Sequence, residues 1–141
     1  MKLIAAAVVA FSASTVTPAR DDLCGHLDRL DRAVGAGTHK SSSIKVTWDW
    51  SNWSVACAHD RQAAAQQLCR WLPTHMNLED PQILISRALA CYQTAPTVPE
   101  RTQTVDTFVR TRSGKDLHVE AGNLQSNDGL PWMRLTIGTA K

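Results

Sequence analysis

The chain predicts an α+β domain: a small antiparallel β-sheet with about three helices packed on one face, braced by two disulfides. Three observations carry this expectation. Apolar residues recur at helical spacing in three segments before residue 93, period-2 alternation marks strands around Val46 and after Thr104, and four cysteines follow an apolar leader.

Residues 1–19 have the layout of a secretory signal peptide, with Lys2 as the cation, Leu3 to Phe11 as the apolar stretch, and small residues up to Ala19. The apolar run is about half the roughly twenty residues that a membrane span needs, so it reads as a cleaved leader rather than an anchor. Residues 20–141 then form a single domain, periplasmic or secreted. The leader holds one cation, Lys2, and no acid, so the formal charge of +2 becomes +1 on cleavage. Near-neutral charge argues against nucleic acid or an anionic membrane as partner, because both select for a clustered basic surface. Arg110, Arg112 and Lys115 come nearest to such a cluster and read as a solvated hairpin face.

Asp22 caps a first helix whose apolar positions Leu23, Leu27, Leu30 and Val34 share one face, and Gly35 and Gly37 end it. Ile44, Val46, Trp48 and Trp50 alternate with polar residues as one buried face of a strand, so Trp48 and Trp50 are expected in the core. Trp53 falls out of phase and is the ring expected to be exposed. Ala58 to Leu72 reads as a second helix stopped by Pro73, with His59-Asp60 at its start. Asp80 followed by Pro81 opens a third helix carrying Leu84, Ala88, Cys91 and Tyr92 to one side. Thr104 to Arg112 and Leu117 to Ala121 form a hairpin around a Gly-bearing turn. Trp132 to Ile137 is a further strand.

Cys24, Cys57, Cys69 and Cys91 form an even set in an exported chain and read as two disulfides. With Cys57 opening the second helix, Cys69 would lie about 18 Å along its axis, too far to bridge. A helical hairpin turning near Met76 favours Cys57–Cys91 with Cys24–Cys69; Cys24–Cys57 with Cys69–Cys91 is the alternative. Their spacings match no standard zinc pattern, and no metal or other cofactor is implied.

The catalytic signatures are weak. There is no Gly-x-Ser-x-Gly elbow, and Cys57 near His59-Asp60 is better spent in a disulfide. Asp21-Asp22 and Glu79-Asp80 sit where helix starts favour acids; Glu120 on a strand is a candidate glycosidase-type acid with a second carboxylate such as Asp106, a pairing that the spacing does not demand. The connection from Ala121 to Pro131 is longer than a hairpin needs and rich in adaptable hydrogen bonders. The sequence therefore reads as a non-enzymatic exported binding protein, an inhibitor or immunity-type protein blocking an enzyme or toxin of its own compartment. Its expected contacts are Trp53, Asn123, Gln125, Asn127, Asp128 and Leu130. The alternatives are a carbohydrate or cell-wall binding module using Trp53 and Trp132, and a small hydrolase with a His–acid or two-carboxylate site.

Overall fold

The computed structural model describes residues 22–36, 40–76, 80–94, 98, 101–125 and 128–139. The expected leader and Asn127 lie outside them. Helix α1 spans Leu23–Ala33, strand β1 Ser41–Asp49, β2 Ser54–His59, α2 Ala63–His75, α3 Pro81–Ala90, β3 Val105–Arg110, β4 Asp116–Gly122 and β5 Trp132–Gly138. The five strands form one antiparallel sheet in the order β2-β1-β5-β4-β3. The fold is α+β, as the sequence predicts.

Alternation along the strands divides the sheet into two faces. Ile44, Val46 and Trp48 of β1, Leu117, Val119 and Ala121 of β4, and Met133, Leu135 and Ile137 of β5 are buried under the helices. Leu23, Leu27, Leu30 and Val34 of α1 complete that core with Leu68 and Leu72 of α2 and Leu84, Ile85 and Ala88 of α3. The caps follow the sequence: Gly25 N donates to the Asp22 carboxylate at 2.7 Å, and Gln82 N to that of Asp80 at 2.8 Å. Gly35 adopts φ +89° just after α1, and Gly114 φ +84° in the β3–β4 turn; both are left-handed conformations that favour glycine.

Four expectations between Trp50 and His75 are corrected. Cys57, Ala58 and His59 belong to β2 and not to a helix, because pairing of Val46 with Cys57 and Lys45 with Ala58 overrides the helical bias of this alanine-rich segment. Asp60 is a corner post rather than a helix start. Its carboxylate accepts Ser42 Oγ at 2.9 Å, Ser43 N at 2.9 Å and Gln62 N at 3.0 Å, which turns the chain from β2 into α2. The second helix runs past Pro73 to His75. Trp50 is not core: β1 ends at Asp49, and Trp50 enters the following turn with 38% of its surface exposed.

The cysteine pairing changes for the same reason. With Cys57 on a strand and Cys69 on the helix that packs over it, the two Cα atoms lie 5.4 Å apart and the bond is Cys57–Cys69. The other bond, Cys24–Cys91, joins the first turn of α1 to the end of α3. Neither Cys57–Cys91 with Cys24–Cys69 nor the alternative pairing occurs. Loop-closure entropy puts the longer-range Cys24–Cys91 at about 4 kcal/mol and Cys57–Cys69 at about 3 kcal/mol.

A buried polar clamp ties α1 to the β3–β4 hairpin. The carboxylate of Asp31, buried at the end of α1, accepts Thr111 Oγ at 2.8 Å and Ser113 Oγ at 2.7 Å, and Lys115 Nζ donates to the Asp31 carbonyl at 2.7 Å. Arg112 pairs with Asp28 at 3.5 Å and Arg110 with Asp116 at 3.4 Å. Each cation of the candidate basic cluster thus faces an acid. Burial pushes the Asp31 carboxyl up, but the Ser113 and Thr111 hydrogen bonds and the Lys115 charge outweigh it and hold it below its ordinary value of 3.8. A carboxyl depressed in the folded state contributes stability that is complete above its unfolded value and fades as pH falls through the folded one. Asp31→Ala is expected to cost about 3 kcal/mol in urea unfolding at neutral pH. That deficit should shrink below pH 3.8; a deficit constant with pH would contradict the assignment.

Candidate functional site

The strand directions bring the expected contact residues to one end of the sheet. β1 ends there, β2 and β5 begin there, and β4 ends there, so the β1–β2 turn and the β4–β5 connection are neighbours. Trp48 N donates to Pro131 O at 2.9 Å and fastens one to the other.

Each of these segments is held by local hydrogen bonds. In the turn, the Asp49 carboxylate accepts Ser51 N at 3.1 Å, Ser51 Oγ at 2.6 Å and Asn52 Nδ2 at 2.7 Å. The Ser51 and Asn52 hydrogen bonds hold the Asp49 carboxyl below the ordinary carboxylate range. Trp53 closes the turn at φ +50°, a left-handed conformation costly for a bulky residue, with 87% of its surface exposed. In the connection, Asn123 takes φ +55°, its Nδ2 reaches Leu130 O at 3.4 Å, and Gly129 leaves room for its amide. Leu124 N and Gln125 N are held by the backbone carbonyl and side-chain oxygen of Gln103, at 3.2 and 3.3 Å. Gln125 also lines a cavity of about 710 Å³ beside α3, with Ile83, Arg87 and Arg101. Leu130 and Asp128 are exposed.

The structure adds Trp132. It stands opposite Thr47 on one side and Gly122 on the other, on the face that the helices leave open. A Cβ on Gly122 would fall 2.7 Å from Trp132 Nε1, so the indole packs closely against the glycine. Lys45 Nζ stands 5.2 Å from the ring centroid and the Arg134 guanidinium 5.9 Å. Farther along the open face, Arg134 pairs with Glu120 at 3.7 Å, His118 Nε2 meets Asp106 Oδ1 at 2.7 Å, and Phe108 stacks on His118 at 4.1 Å.

Asp106 and Glu120 are thus opposite each other on neighbouring strands, with His118 Nδ1 3.9 Å from the Glu120 carboxylate. The sheet brings together the His–acid pair and the carboxylate pair that a hydrolase would need. It sets them on an open surface, where Asp106 is three-quarters exposed. Solvent weakens electrostatic stabilisation of a reacting centre in such a place. Among the described residues, no group of three or more His, Cys, Asp or Glu is arranged to hold a metal ion. No helix there is long and apolar enough to cross a membrane.

Sequence reasoning placed Trp53 and Leu130 on the surface but treated Trp132 only as a secondary ring. Its seat depends on Gly122, the last residue of β4, which lies opposite it on the neighbouring strand and allows close approach. Comparison with known proteins assigns no relative: no protein family, curated protein or solved structure matches this chain.

Gly122→Ala is expected to lift the indole off the sheet. The Trp132 Nε1–H resonance should move toward solvent-exposed values, with a stability loss of about 1 kcal/mol. An unchanged indole resonance would contradict the close packing of Trp132 on Gly122.

Proposed function

We propose that this is an exported binding protein of the periplasm or cell exterior that grips a protein partner with the turn end of its sheet. The favoured form is an inhibitor or immunity-type protein that blocks an enzyme or toxin of the same compartment. One observation carries the reading: Trp53 is nearly fully exposed in a left-handed conformation. The fold gains little burial from that ring and bears the cost of its backbone, so the placement is understood if a partner buries it. Leu130 offers a second anchor at the same end, 49% exposed. The Asp49 turn, the Asn123 amide and Cys57–Cys69 fix the surface in advance, which lowers the ordering cost of binding. The leader-like residues 1–19 and the two disulfides support an extracytoplasmic setting.

A second reading rests on Trp132. The Trp132 indole packs on Gly122 with Lys45 and Arg134 over its ring, so a glycan ligand would stack on it by displacing those two cations, whose charges can then bind its hydroxyls. Under that reading, glycan fragments shift the Trp132 indole resonance and Trp53 is dispensable.

Trp53→Gly separates the two. Glycine accepts the left-handed turn, so the variant should gain about 0.5–1 kcal/mol of stability while losing the partner. Disulfide-intact protein immobilised in the source organism's extracytoplasmic fraction should retain one stoichiometric enzyme or toxin, and the Trp53→Gly protein should not. Equal retention by both would sink the proposal.

A further inference from the structure

We propose that the free edge of β3 pairs antiparallel with the same edge of a second copy of this chain, Phe108 facing Phe108 across a two-fold axis. The sheet order leaves β3 at an edge. Just past the ends of β3 and β4, and in register with their pairing, Thr111 N donates to Lys115 O, and at the other end Leu124 N donates to Gln103 O, so the odd-numbered residues of this segment turn their backbone groups toward β4. Antiparallel alternation then directs the N–H and C=O groups of Asp106, Phe108 and Arg110 outward from the sheet. An exposed row of backbone donors and acceptors is a template for another strand.

The side chains select the occupant. Asp106 and Arg110 lie two residues to either side of Phe108, and all three project onto the open face, where Phe108 is 60% exposed. In the Phe108-centred register, Asp106 of each copy stands opposite Arg110 of the other, so both ends of the pairing are charge-complementary. The same register makes Asp106, Phe108 and Arg110 hydrogen-bonded positions, each donating and accepting one ladder bond. Protective edges carry charge of one sign or charge turned inward, whereas this edge is complementary to itself. Asp106 already accepts from His118, and Arg110 donates to Gly114 O at 3.0 Å. A carboxylate has further acceptor sites and a guanidinium has five N–H groups, so these bonds leave capacity for the second copy. β2, the other edge, carries no comparable pair, with Ala56 and Ala58 on its open face.

The assembly is one continuous sheet with both open faces on the same side. A two-fold axis normal to the sheet reverses strand direction, so the two turn ends point in opposite directions and present Trp53 and Leu130 twice. Dimerisation does not depend on what those ends bind.

Sedimentation equilibrium of the purified, disulfide-bonded protein should give the mass of two chains. Arg110→Asp and Asp106→Arg each place like charges opposite one another and should raise the dimer dissociation constant about tenfold. Mixing these two variants should restore the two-chain mass, because the cationic edge of one then meets the anionic edge of the other. Both positions are exposed, and circular dichroism checks that each variant is folded. A one-chain mass for the unmodified protein across the concentration series overturns the proposal, as does a mixture that sediments no differently from its components.

Discussion

The fold depends on β5. It is the last strand in the chain but stands third in the sheet, and it is the strand through which the β1–β2 hairpin and the β3–β4 hairpin are joined. Its two faces divide the labour. Met133, Leu135 and Ile137 go under the helices, while Trp132 and Arg134 take the open face. The same pairing that closes the core therefore sets the aromatic platform and, through Pro131, fastens the β4–β5 connection against Trp48. Core and candidate surface are consequences of one strand's register, and a slip by one residue would exchange them.

Around this strand the helical side is held by covalent and polar ties of long sequence separation. Cys24–Cys91 joins α1 to α3, and Asp31 joins α1 to the turn between β3 and β4. Tyr92 adds a third tie through its hydroxyl to Asp28 at 2.9 Å; burial, then the Asp28 hydrogen bond and charge, raises its phenol well above the ordinary range and keeps it a donor. These ties lie beneath the sheet or at the end opposite Trp53. The turn end is stiffened separately and locally, by Asp49 and Asn123, so its geometry is set without a large apolar core of its own.

What the sequence made legible was whatever depends on local spacing. The leucine face of α1, the Asp22 and Asp80–Pro81 starts, the Gly114 hairpin and the inward parity of Trp48 all follow from residues within a few positions of one another. β2 did not, because the alanine-rich run that begins at Ala58 extends a helical reading back over Cys57 to His59, which become strand by pairing with β1. The disulfides follow from this element: Cys57 on a helix cannot reach Cys69, and Cys57 on a strand can. Trp50 was lost to the Asp49 turn, in which a side chain ends the strand that parity would have continued. The exposure of Trp53 and Leu130 was readable from phase and loop length. The seat of Trp132 was not, since it requires knowing that Gly122 lies across the sheet.

The Trp53–Leu130 end is proposed as the surface that a partner covers. Hydroxyl-radical footprinting of the protein alone and with its captured partner tests this directly. Trp53 and Leu130 should oxidise readily in the free protein and be protected in the complex, while Trp48 stays unreactive in both. Unchanged oxidation of Trp53 in a complex that protects residues elsewhere would contradict it.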